Sequence, residues 1–201
     1  MQDIKLDGIS KINGGEYATV AVNGIAQING HLKSKSFSID GKCKINGDTT
    51  TSELFCNGIT EIEGKLKATD IKVDGILTVN GDHIETQTLV CDGTIRAKNL
   101  INSEILDANG IINAMQVNGN KVIIKSHSGK FIKLFLPPAS KINKIKADNI
   151  ELSGVKSQKI VGQDIIIGPC CEIEDIECSG TLKVNKRATV NNIIGDYSLI
   201  N

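Results

Sequence analysis

Apolar residues alternate with polar ones in short runs, and the runs themselves recur at a nearly fixed interval. The markers are Gly8, Gly24, Gly41, Gly58, Gly75, Gly93 and Gly110, spaced by 16, 17, 17, 17, 18 and 17 residues. Two positions before each glycine stand Leu6, Val22, Ile39, Cys56, Val73, Cys91 and Ala108. Four positions after it stand Ile12, Ile28, Ile45, Ile62, Val79, Ala97 and Ala114. Apolar residues also stand four positions before the glycine, from Ile4 to Leu106, and small or apolar ones two positions after it, from Ser10 to Ile112, so the local period is two, the period of a β-strand. No stretch sustains the 3.6-residue period of an amphipathic helix.

The residue before each glycine is always Asp or Asn: Asp7, Asn23, Asp40, Asn57, Asp74, Asp92 and Asn109. Asx-Gly tolerates positive φ, so each pair predicts a sharp turn. A second glycine (14, 30, 47, 64, 81) closes the next run. A third run follows, as in Leu32–Ser34 and Leu66–Ala68, with Leu32 and Leu66 pointing inward. Each repeat is therefore three short strands. A period near 17 is too short for helical solenoid repeats of 33 or 34 residues. The fold class expected is all-β: a parallel, triangular β-solenoid, or β-helix, with coils of about 17 residues. The Asp/Asn column then stacks along one corner, and mixing Asp with Asn dilutes like-charge repulsion.

The octet fades after Gly110. Residues 1–119 read as regular coils and 146–201 as a continuation of the solenoid or a second lobe. Between them, 120–145 reads as an irregular hairpin or insertion. It holds Phe131 and Phe135 and closes at Pro137-Pro138. Its apolar side chains fold against the rod or protrude towards a partner or membrane. "NIELSG" (149–154) and "DIECSG" (175–180) both restore the corner signature, which puts Cys178 in the same inward slot as Cys56 and Cys91.

The chain has 201 residues, no formal net charge, 3% aromatics and no tryptophan. The zero balance gives no electrostatic footprint for nucleic acid. With few aromatics, Ile, Val and Leu must fill the interior. The opening MQDIKLDG does not read as a secretory leader, and no apolar stretch here is long enough to span a bilayer, so a cytoplasmic location is expected. The six cysteines form no CxxC pair and read as small buried hydrophobes rather than zinc ligands. No cofactor, metal or catalytic residue is expected. His31, His83 and His127 fall at unrelated places in the repeat. No P-loop, G-x-S-x-G or HExxH occurs. A carbohydrate platform would want aromatics that the chain lacks. A calcium ladder would need the nine-residue glycine pattern of RTX repeats.

The repeated apolar-x-apolar-[DN]-G coils and the segment "KIVGQDIIIGPCCEIEDIECSGTLKV" (159–184) resemble the bactofilins, polymer-forming cytoskeletal proteins of bacteria, in their longer, Firmicute-type form. The resemblance covers most of the chain. It implies a right-handed β-helix that polymerises end to end without nucleotide, often at a membrane surface, as a scaffold for cell-wall or shape machinery. In that family a short apolar N-terminal peptide sometimes targets the membrane. Here the first coil begins at Ile4.

A solenoid exposes unpaired backbone groups and core at its ends unless they are capped. No capping helix is predicted. Ile4, Leu6 and Ile12 are therefore the candidate N-terminal polymer interface, and Ile193, Ile194, Leu199 and Ile200 the candidate C-terminal one. The partner expected is a further copy of the chain. Ile9, Ile25, Ile59 and Ile76, each just after a corner glycine, form a broken outward stripe. With Phe131 and Phe135 they are the candidate lateral or membrane-facing surface. The alternatives are a non-polymerising ligand-binding or scaffold rod and, further off, a β-helix enzyme acting on carbohydrate or acyl groups.

Overall fold

The computed structural model describes residues 1–126 and 139–200. Among these residues nineteen strands, from Gln2–Leu6 to Ser198–Leu199, join in one parallel sheet wound into a β-solenoid of about 11 turns. Among the described residues there is no helix. Coil 1 begins at Gly8, coil 2 at Gly24 and coil 3 at Gly41. Register shows how they stack: Ile28 pairs with Ile45, Ile45 with Ile62 and Ile62 with Val79.

Burial shows three faces per coil. In coil 3 the inward residues are Cys43 and Ile45, then Thr49 and Thr51, then Leu54 and Cys56. Each face contributes two, because strand alternation sends every other side chain inward. The core is thus a stack of aliphatic layers, with Phe37 the large exception. Leu32 and Leu66 both point in, and Ser34 and Ala68 follow them on the same face.

The corners explain the glycines, and differently from the sequence expectation. Gly8 has a positive φ of 68°, but the corner glycines of coils 2 to 7 do not. A Cβ on Gly24, Gly41, Gly58, Gly75, Gly93 or Gly110 would run into the carbonyl of the glycine one coil below. These positions need glycine because successive coils touch backbone to backbone there, and Gly8 has no glycine below it. The Asx side chains beside them stack as well. Asn23 donates to Asp7 at 2.8 Å, Asn57 to Asp40 at 2.8 Å and Asn109 to Asp92 at 3.2 Å.

The octet fades because one corner tightens. From face 1 to face 2, coil 2 steps from Ile28 to Leu32 through Gly30. Coil 7 steps from Ala114 to Val117, and coil 8 from Ile142 to Ile145, with no glycine between. In coil 10 the wide corner has moved. Cys178 pairs with Gly162 on face 2, while Val184 pairs with Ile167 on face 3. Cys178 is buried as expected, but it is not in the slot of Cys56 and Cys91. Ser179-Gly180 makes the corner between faces 2 and 3, although its sequence imitates the other corner.

The stretch 120–145 contains regular strand at both ends: Lys121–Lys125 and Ser140–Ser153 pair with each other and with earlier coils. The inward residues flanking the break are Ile124 and Ser140, with 125–139 between them; in coil 6 to coil 7 the flanks are Ala108 and Ile112, with 109–111 between them. The extra chain therefore enters at the Asx-Gly corner, and the stack continues past it. Ser140 ties the coils together by accepting from the Ile112 amide at 2.9 Å.

Candidate interaction surfaces

Three kinds of surface follow from this winding: the two ends, one stripe and a set of grooves. At the N-terminal end, Ile4 pairs with Val20 and Leu6 with Val22, so both belong to face 3. Leu6 is buried, whereas Ile4 and Ile12 are half-buried and pack on the core. At the other end, Ile193 pairs with the buried Ile176, and Leu199 with the buried Leu182. They face inward, yet Leu199 is 73% exposed because nothing among the described residues lies over the last coil. Ile194 pairs with Glu177 on the outward column. Ile194 and Ile200 are 49% and 44% exposed.

The stripe is uneven. Ile9, Ile25 and Ile59 are exposed, at 87%, 53% and 48%, but Ile76 is half-buried. Lys42 and Thr94 interrupt the column: Lys42 pairs with Ile25 and Ile59, and Thr94 with Ile76 and Ile111. Phe131 and Phe135 lie outside the described residues.

The grooves arise at the tight three-residue corners. One, of about 860 Å³, runs along faces 2 and 3 from coil 2 to coil 7. Its floor is the column Ser34, Thr51, Ala68, Thr86 and Ser103, and its walls carry Lys33, Lys67, Glu85 and Glu104. The hydroxyls of Thr51, Thr86 and Ser103 are committed to backbone carbonyls, and Ser34 donates to Thr51 at 3.0 Å. Thr86 lies 2.8 Å from the Thr69 carbonyl one coil below and 3.0 Å from its own coil's Thr88 carbonyl. Ser103 lies 2.7 Å from Ile105 O. A small hydroxyl before a tight corner thus satisfies carbonyls that the bend turns away from the ladder. Ser157 repeats the device where the tight corner moves to faces 1 and 2. A second groove of about 540 Å³ follows that corner in the last coils. The hydroxyl column is a sequence signal that period analysis overlooks.

Electrostatics is organised by coil as well. Lys33–Glu16 at 3.0 Å and Lys67–Glu85 at 2.8 Å bridge successive coils. The bonds to Lys44 and Asn80 lower the Glu63 carboxyl below its ordinary value, and the Lys67 ammonium does the same for Glu85. All are exposed pairs, each worth little alone. Burial pushes the thiols of Cys43 and Cys91 up to about 12 and that of Cys171 to about 11, which leaves them poor nucleophiles at neutral pH. Among the described residues, no group of three His, Cys, Asp or Glu could hold a metal ion. No helix among them is long and apolar enough to cross a membrane.

The chain matches no family model, no curated protein and no solved structure.

Proposed function

We propose that this chain is a structural rod whose copies assemble end to end, without nucleotide, into filaments. It acts as a cytoplasmic cytoskeletal scaffold, with a membrane surface or the cell-wall and shape machinery as further partners. The observation that carries the reading is the contrast between Leu199 and Leu182. They occupy the same inward column; one is 73% exposed and the other wholly buried. An inward aliphatic side chain above an unpaired strand edge is a template for a further parallel strand. The resemblance to the bactofilins supports the same reading.

The test is negative-stain electron microscopy and pelleting of the purified chain at micromolar concentration, without nucleotide or metal, beside Leu199→Lys and Ile4→Lys. Filaments from the parent, shortened or lost in either variant, are the expected result. Single rods that persist at high concentration sink the reading. The polar groove along coils 2 to 7 supports a second reading, a ligand-binding rod that does not polymerise. In that case the rods stay single, and charge changes at Lys67 and Glu85 alter ligand capture rather than assembly.

A further inference from the structure

Charge is segregated by coil around the corner between faces 1 and 2. On coil 8 the outward residues include Lys141, Lys144 and Lys146. On coil 9 the same columns carry Lys156 and Lys159. On coil 10 they carry Glu172, Asp175 and Glu177, with Glu174 beside them. Lysines stacked on lysines about 4.8 Å apart repel. Coil 9 escapes part of that cost, because Lys156 bonds Glu172 at 2.9 Å and Lys159 bonds Glu177 at 3.1 Å. That leaves two groups unpaired. Lys141, Lys144 and Lys146 have no ion pair among the described residues, and neither do Glu174 and Asp175. Asp175 accepts only from Asn192, at 3.2 Å.

We infer that this corner is a side-by-side docking surface for a second copy of the chain, arranged antiparallel about a two-fold axis at coil 9. In an isologous contact, residue i meets j and j meets i. An axis at coil 9 sets coil 8 of each copy against coil 10 of the other. The unpaired lysines then face the unpaired carboxylates twice over, while the already neutralised coil 9 faces itself. The shape agrees. The groove beside Lys141, Lys156 and Glu172 lies next to the column Lys144, Lys159 and Asp175, so a column of one copy can enter the groove of the other. A polyanion or an anionic membrane fits less well, because four carboxylates stand on the same corner only two coils from the free lysines. The contact is independent of the end-to-end assembly proposed above.

The test uses the full chain in sedimentation at low and high salt, with Lys141→Glu/Lys144→Glu as one variant and Glu174→Lys/Asp175→Lys as the other. Each variant alone is expected to weaken pairing by roughly tenfold or more, because both contacts become like-charged. Mixing the two variants restores pairing, since each coil 8 then meets an opposite coil 10. High salt weakens the parent and the mixture alike. A photo-crosslinking residue at Gln158 on coil 9 joins to its own counterpart. Salt-independent behaviour, or failure of the mixture to recover, overturns the proposal. So does loss of binding to anionic vesicles in the lysine variant without loss of pairing. Leu199→Lys, which acts at the ends, leaves the 158–158 crosslink in place, so the two assemblies fail separately.

Discussion

The side-chain amide of Asn57 donates to the carboxylate of Asp40, one coil below, at 2.8 Å. The corner column depends on that donor, because the next residue up is Asp74. Asn57→Asp removes the donor and stacks four carboxylates in succession, Asp40, Asp74 and Asp92 with the new one. The expected cost is about 1 kcal/mol or less, since the site is exposed. Salt should recover part of it. Chemical unfolding at low and high salt checks both statements; an unchanged midpoint at low salt would refute them.

The glycine beside Asn57 predicts a larger effect. A Cβ on Gly58 would overlap the Gly41 carbonyl and push two coils apart. Gly58→Ala should cost about 3 kcal/mol, in the range of severe packing errors. Gly8 is the contrast: it sits at φ 68° with nothing near its Cβ. Gly8→Asn should cost well under about 1 kcal/mol, because Asn tolerates that conformation. Equal losses at the two sites would show that backbone conformation, not close approach, selects glycine.

Thr49 offers a gain. Its hydroxyl is the buried side-chain oxygen among the described residues that lacks a hydrogen-bond partner. It occupies a column where Leu32 and Leu66 sit directly below and above. Thr49→Val keeps the shape and removes the unpaired group, so stability should rise by about 1 kcal/mol. A fall in melting temperature would argue against it.

Alkaline pH should weaken the rod through its thiols. Burial raises Cys43, Cys56, Cys91 and Cys171 above the ordinary value of 9.0. A raised folded pKa contributes stability that is complete below pH 9. It is lost as pH climbs towards the folded values of about 11 to 12. Each such thiol costs about 1.4 kcal/mol per pH unit in that window. Stability measured from pH 8 to 10.5 should therefore fall steeply above 9. Cys43→Ala/Cys91→Ala should start lower but fall with about half the slope. Parallel slopes would locate the alkaline sensitivity elsewhere.

The solenoid was legible in the chain because a stacked coil constrains every repeat alike. Inward positions must be apolar or small, and touching corners must be glycine. A period near 17 with alternation of two therefore identifies the fold, and the same alternation turns Leu32, Leu66 and Cys56 inward, where all three are buried. The positions of the end residues were less legible. Leu6 and Leu199 look alike as apolar termini, and each pairs with a single neighbouring coil, yet Leu6 is buried and Leu199 is 73% exposed. Ile76 likewise shares a column with Ile59 but is half-buried.

By itself, then, the sequence determined the class of fold, the coil length and the apolar content of each layer, because those are local properties repeated many times. The tertiary structure alone decided which corner each turn occupies. Ser153-Gly154 and Ser179-Gly180 are near-identical in sequence, yet they turn between different faces. Dropping one residue at a corner changes no alternation pattern but hands the wide turn to another edge. Charge was decided there too. The run of lysines and the run of acids are separate stretches of chain, and only the register of parallel strands brings them onto one corner as adjacent, opposite coils.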